Sequence, residues 1–309
     1  MRRSTFLTTF ALMIGVSAAA FAGESYVRFQ KSETSPRDAA LQTAVATFKH
    51  PDKDVEIVLY GVVHIADKAY YQSVQRDLDS YDVVLYEGVA PGKTQPTEED
   101  KSLGTMQKMM GELLGLTFQK DGIDYTRKNL VHADMNMDEF KKAMGGNSIN
   151  PLGGVMDKNQ MRQMLPQMKQ FSQFGKALME SMPAMRDNFK MMMGSQLGNA
   201  DLSNALGQKA TQVILIERNK VVMKKLAEQL TKTTKGRVAI FYGAAHNPDF
   251  EQRLGKLGWT LQSKRWMSAW TIGQGVNEGE ETPAPSTPQE QPKTQPRTNP
   301  APEEGPRWF

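Results

Sequence analysis

"VEIVLYGVVH", residues 55–64, is an apolar run that closes on glycine, two small aliphatics and a histidine, and "RVAIFYGAAH", residues 237–246, closes the same way. The first run passes into a helical pattern from about Asp67 to Leu78 and then into "DVVLYEG" at 82–88. Strand, helix and strand within roughly thirty residues make a βαβ unit. The second run follows a helical pattern over 211–230, "TQVILIERNKVVMKKLAEQL", and precedes a helix opening with "NPDFEQRL" at 247–254. Strand-like stretches "WTLQ" at 259–262 and "SAWTI" at 268–272 come after it, and "SYVRFQ" at 25–30 and "LQTAVATFKH" at 41–50 precede the whole. Both regions are expected to share one α/β fold, a central mixed, largely parallel β-sheet flanked by helices.

Between them the pattern changes. From about Glu98 to Ala210 it is helical, and half of the chain's 20 methionines fall between Met156 and Met193, so the stretch reads as a Met-rich helical insertion at one edge of the sheet. Methionines at helical spacing are core filler in their plain reading and an adaptable substrate groove in the functional one. "NMDE" at 136–139 places an asparagine three before a glutamate, a helix start with a capping box.

The ends are of different character. "MRRSTFLTTFALMIGVSAAAFA", residues 1–22, has a basic start, an apolar middle interrupted by Thr8, Thr9 and Ser17, and Ala20-Phe21-Ala22 as a small-x-small site. This is a secretory signal cleaved after Ala22, and its apolar part is short of the ~20 residues of a spanning helix. With no cysteine, disulfides, thiolate ligands and a cysteine-linked lipid are excluded. The expected address is periplasmic or secreted. Residues 276–309 are rich in Pro, Glu, Gln and Thr and nearly free of aliphatics, which predicts a disordered tail with Trp308 and Phe309 as a docking point. Residues 23–275 then form the α/β domain, with the insertion at about 98–210. A formal charge of +4 without a basic stripe speaks against nucleic acid as a partner.

Chemistry belongs at the carboxyl ends of parallel strands, where the loops open a crevice. His64, Glu87 and His246 follow three strand-like runs, and parallel neighbours would bring them together. Two imidazoles and a carboxylate suit a divalent metal with open positions, and without thiolates manganese, cobalt, zinc and iron all qualify. Glu87 is either a third ligand or a base for water. Taken singly, each has a plain structural reading: His246 precedes Asn247 and Pro248, a helix cap and first residue, and Glu87 can pair with a nearby cation.

Arg218 has Ile214, Leu215, Val221 and Val222 at helical spacing around it, so its charge projects from an apolar stripe and needs a partner. That partner is either a buried carboxylate or a developing oxyanion. Asn219 shares much of that face and is a candidate for holding substrate. His132 and Asp134 in "LVHADM" can approach the site from the insertion, His132 as a second substrate contact, or simply begin a helix. His50, beside turn residues, is expected to be exposed.

At "GVVH" 61–64, "YEG" 86–88, "ERN" 217–219 and "GAAH" 243–246 the chain resembles the TraB/GumN family, relatives of the Tiki metalloproteases in the erythromycin-esterase and ChaN-like group. The resemblance covers roughly residues 25–270. It implies an α/β fold with helical inserts, His64, Glu87 and His246 at the family's metal positions, and Arg218 as its recurrent arginine. The Tiki relatives imply manganese- or cobalt-dependent peptide hydrolysis, and other members are linked to silencing peptide pheromones. The expected function is a periplasmic metal-dependent hydrolase of peptides or proteins. The alternatives are a non-catalytic peptide- or ligand-binding protein of the same fold and a haem- or iron-handling protein.

Overall fold

The computed structural model describes residues 25–93, 98–145, 174–198, 211–276 and 282–283. The expected signal at 1–22, most of the expected tail, and residues 146–173 and 199–210 of the insertion lie outside the described residues.

In chain order the elements are β1 (Val27–Lys31), β2 (Ala39–His50), β3 (Lys53–Val62), β4 (Ile65–Ala66), α1 (Lys68–Asp79), β5 (Val83–Tyr86), α2 (Glu98–Leu114), β6 (Thr117–Phe118), α3 (Gln119–Gly122), β7 (Leu130–His132), α4 (Met137–Ala143) and α5 (Pro183–Gly198). A π-helical turn, Gln212–Glu217, then runs into α6 (Arg218–Leu230), followed by β8 (Lys235–Gly243), a 3-10 turn (Ala244–His246), α7 (Asn247–Lys256), β9 (Thr260–Ile272) and β10 (Thr282–Pro283).

One mixed sheet runs β10-β9-β2-β3-β8-β5-β7, with β1 added to β2. The fold is α/β. β3, β8, β5 and β7 are mutually parallel; β1, β2, β9 and β10 join antiparallel. The continuous apolar runs of β3 and β8 are what a strand covered on both faces requires, and both are buried from mid-strand to their carboxyl ends. Helix α1 presents Tyr70, Tyr71, Val74 and Leu78 to the core, a single stripe at helical spacing.

The two stretches at 259–262 and 268–272 belong to one strand. β9 follows β2 from Lys49 back to Ala39 with two register shifts. Its charged middle is accommodated: Lys264 lies over the Tyr26 ring at 4.3 Å, and Trp266 receives Arg28 at 4.2 Å. Arg265 pairs with Asp77. In the expected tail, Thr282 and Pro283 pair with Lys264 and Ser263, so this part extends the sheet rather than standing free. His50 is half-buried rather than exposed, edge-on to Trp259 with ring centroids 5.4 Å apart.

The described part of the insertion packs on the sheet. α5 buries Met193 and Leu197. At Gly194 an added Cβ would come within 2.8 Å of the Phe29 ring, so the helix approaches β1 closely because glycine stands there. Asn136 caps α4 as expected, accepting from Asp138 and Glu139 N–H groups while the Glu139 side chain returns to the Asn136 N–H. No helix of the described residues is long and apolar enough to cross a membrane.

The ends of β3 and β8 are level, and β5 stops two residues earlier. Val62 of β3 lies beside Gly243 of β8, and Phe241 lies beside Tyr86 of β5. The two Gly-x-x-His motifs also interlock through packing. A Cβ on Gly61 would stand 2.7 Å from Nδ2 of Asn247 and 3.0 Å from the Ala44 carbonyl oxygen. Asn247 is fully buried, so it has little room to yield. Gly61→Ala is therefore expected to destabilise the protein by about 1–3 kcal/mol through overpacking, measured as a lower urea midpoint with an unchanged slope.

Candidate functional site

Glu87 is the first residue beyond β5. Its backbone N–H donates to the Phe241 carbonyl at 3.0 Å, extending the β5–β8 pairing by one residue and carrying the side chain to the sheet edge. Oε2 accepts the Gly243 N–H at 2.6 Å, and Oε1 accepts Nη2 of Arg218 at 2.7 Å.

Arg218 begins α6 directly after the π-helical turn. Its Nε donates to Oδ1 of Asp134 at 2.9 Å and its Nη2 to Oδ2 at 2.5 Å, a forked pair that Arg geometry favours. Asp134 is itself fixed, accepting the Gly88 N–H at 2.9 Å and the Met135 N–H at 2.7 Å. The guanidinium also faces the Tyr242 ring at 6.0 Å. The side chains of Arg218, Glu87 and Asp134 are only 8%, 10% and 0% exposed, so two carboxylates share one cation out of water. Burial by itself would raise the Glu87 pKa; Arg218, the two histidines and the Gly243 N–H outweigh it and hold the carboxyl well below the usual range. Burial would lower Arg218, but its two anions push it well above the ordinary value.

His246 closes the 3-10 turn and is buried. Burial outweighs the pull of Glu87 and brings its pKa down to about 4, so the ring is neutral near pH 7. A hydrogen-bond chain sets its tautomer. Asn219 Nδ2 donates to Oδ2 of Asp249 at 2.8 Å and to the His246 carbonyl at 3.1 Å, which turns Asn219 Oδ1 toward His246 Nδ1 at 2.6 Å. A carboxamide oxygen only accepts, so Nδ1 carries the proton. Nε2 is left with its lone pair, 3.7 Å from Oε1 of Glu87.

His64 lies two residues beyond β3 and is half-buried. Its Nδ1 meets Oε1 of Gln119 at 3.1 Å. Burial pushes its pKa down, against the attraction of Glu87 and the Gln119 bond. The structure thus brings His246, Glu87 and Arg218 into one cluster with His64 in electrostatic range of Glu87. Among the described residues no group of three or more His, Asp or Glu side chains forms a ready-made metal cage.

The two expected substrate contacts, Asn219 and His132, are hydrogen-bonded within the protein. Asn219 is fully buried and its carboxamide is engaged by His246 and Asp249, which gives it a positioning part behind the histidine. His132, at the end of β7, has Nε2 at 2.5 Å from the Gly88 carbonyl oxygen and its ring edge-on to Tyr86. It shapes the loop after Glu87. Asn247 does not cap α7: His246 holds the cap position, and both polar atoms of the buried Asn247 side chain lack a protein partner. Asp134, Asp249 and Gln119 belong to the site although only Asp134 carried a signal, its place beside a strand end.

Comparisons of the chain with models of known families, with curated proteins and with solved structures found no match.

Arg218→Leu would leave Glu87 and Asp134 together without their cation, at an expected cost of about 3–5 kcal/mol near pH 7. Because the folded Glu87 pKa is depressed, its stabilisation is complete above the ordinary value of 4.5 and fades as pH falls below it. The gap between wild type and variant should narrow below pH 4.5, as read by urea unfolding across pH. His246 adds a separate slope: its folded pKa lies below 6.5, so wild-type stability should decline as pH drops from 6.5 toward 4, and His246→Gln should flatten that part of the curve.

Proposed function

We propose that this chain is a metal-dependent hydrolase of the TraB/GumN kind, acting on peptides or proteins outside the cytoplasm, with His64, Glu87 and His246 as the ion's ligands. One observation carries the reading. With Nδ1 turned to Asn219 at 2.6 Å, Nε2 of His246 faces Oε1 of Glu87 at 3.7 Å. Arg218 already bonds that oxygen at 2.7 Å, but one guanidinium faces two carboxylates, and the negative charge left over favours a further cation beside Nε2 of His246. The amide behind His246 is the outer support that metal-binding imidazoles commonly have. Nitrogen and oxygen donors without sulfur suit manganese, cobalt, zinc or iron.

When bound, such an ion supplies Lewis acidity at a scissile carbonyl and acidifies water. The protein's own groups divide the remaining work. A carboxylate held far below its usual pKa stays ionised and takes up protons poorly, which supports Glu87 as ligand over Glu87 as base. Arg218 has its Nε and Nη2 committed to Asp134 and Glu87, which supports a part in fixing Glu87 over direct contact with an oxyanion. The leader at 1–22 supports export, and the resemblance at the four short motifs supports peptide chemistry.

A binding protein without catalysis is the second reading. Phe174 and Leu178 in the helical stretch before α5, Met182 at the break between the two and Met185 in α5 are 69%, 37%, 45% and 39% exposed, apolar side chains suited to capturing hydrophobic segments.

The test is titration of the purified chain with Mn2+ in a melting assay, repeated with His64→Ala and His246→Ala, followed by digestion of a mixed peptide library with and without EDTA. Wild type should gain about 2.7 kcal/mol at an ion concentration a hundred times Kd, and both variants should lose the gain. No stabilisation by any of the four metals would overturn the site; stabilisation without peptide cleavage would favour the binding protein.

A further inference from the structure

We infer that Gln119, held by Tyr125, is the positioning residue for His64, fixing its imidazole with the proton on Nδ1 and Nε2 bare, and that it thereby makes site assembly depend on how the 117–125 segment is seated.

Gln119 grips the residue at two points. Its backbone N–H donates to the His64 carbonyl at 2.8 Å, and its side-chain Oε1 lies 3.1 Å from His64 Nδ1. The other end of the carboxamide is engaged, since Nε2 donates to the Tyr125 hydroxyl at 3.0 Å. The phenol oxygen accepts that bond through a lone pair. Gln119 is buried and Tyr125 stands against Tyr86, ring centroids 5.2 Å apart, so the pair has little freedom to turn. With Nε2 of the amide spent on Tyr125, Oε1 faces the ring, and an oxygen there demands a proton on Nδ1.

The arrangement repeats the one at His246 with different parts. There the amide is Asn219 and its anchor is the Asp249 carboxylate. At both positions an uncharged amide is the immediate neighbour, which sets the tautomer without adding charge next to the ring. The seat of Gln119 comes from the short β4–β6 pairing, where Ile65 lies opposite Phe118 and Ala66 opposite Thr117. β6 follows α2 after Gly115 and Leu116, and the Leu116 N–H donates to the Gly111 carbonyl at 2.7 Å, so the seat of Gln119 is tied to the end of α2.

The consequence for metal affinity rests on the hydrolase reading, whereas the tautomer does not. The experiment is imidazole 15N NMR on the metal-free full chain above pH 7, with His64 signals identified by their loss in His64→Ala, joined to Mn2+ titration. Wild type should show a protonated Nδ1 and a bare Nε2 at His64. Gln119→Leu should move the His64 proton to Nε2 or average it between the nitrogens, leave His246 unchanged, and weaken Mn2+ about ten- to a hundredfold. Gln119→Glu, which still accepts from Nδ1, should restore the wild-type tautomer. If Gln119→Leu does not fold, Tyr125→Phe removes only the anchoring hydroxyl and should produce a partial tautomer shift. A bare Nδ1 in wild type, or a His64 spectrum unmoved by these changes, would overturn the inference even if Mn2+ binds. Absence of Mn2+ binding by wild type would overturn the hydrolase reading and leave the NMR result to decide the tautomer.

Discussion

Arg218 is enclosed with two anions, and the shape of the sheet edge follows from that enclosure. A guanidinium out of water is tolerated only where its charge and donors are met. Asp134 meets it with a fork and Glu87 with a single bond. Each anion is in turn held by backbone N–H groups: Gly243 for Glu87, and Gly88 and Met135 for Asp134. One cation therefore ties α6 to the loops after β5 and β7 and, through Glu87, to the last residue of β8. Neither carboxylate can move without leaving a buried charge or amide unmatched.

The register of β3, β8 and β5 supplies the second condition. Parallel pairing without shifts brings Tyr60, Phe241 and Tyr86 to one height, β3 and β8 run two residues further to Val62 and Gly243, and each motif then departs over a few residues. The turn after His64 is pinned on its far side as well: Trp270 Nε1 donates to the Ile65 carbonyl at 2.7 Å and the Asp67 N–H to the Ala269 carbonyl at 2.8 Å. The antiparallel half of the sheet thus braces the loop that carries His64. Gly61 and Asn247 press the two histidine motifs together where any side chain larger than hydrogen would separate them.

The parts legible in the sequence were those that period and composition encode. Continuous apolar runs marked β3, β5 and β8, and an apolar stripe marked α1, because strands and helices must each bury a face of known spacing. The need of Arg218 for a buried partner was legible for the same reason. Which carboxylate answered was not, since Asp134 lies 84 positions away and nothing local distinguishes it from an aspartate that starts a helix. Gln119, 55 positions from His64, carried no signal at all. β9 read as two fragments because its charged middle interrupts the alternation, and only the Tyr26 ring and the Asp77 carboxylate explain why Lys264 and Arg265 can stay in a strand. The π-helical turn before Arg218 was equally silent, as its residues are ordinary helix formers in an apolar pattern.

Amides, rather than carboxylates, stand directly behind both histidines, and this choice has an electrostatic logic. A carboxylate beside Nδ1 would stabilise the protonated ring and raise its pKa, whereas an amide oxygen accepts the same hydrogen bond with far less attraction for a second proton. Burial can then keep both rings neutral, as the depressed values at His64 and His246 require. Negative charge is concentrated instead on Glu87, which touches Arg218 and lies close to His246. The carboxylate Asp249 acts one bond further out, through Asn219, where it orients the amide without contacting the imidazole. Amides at the rings and a buried ion pair at Glu87 thus keep the negative charge on the carboxylate and away from both imidazole Nδ1 positions.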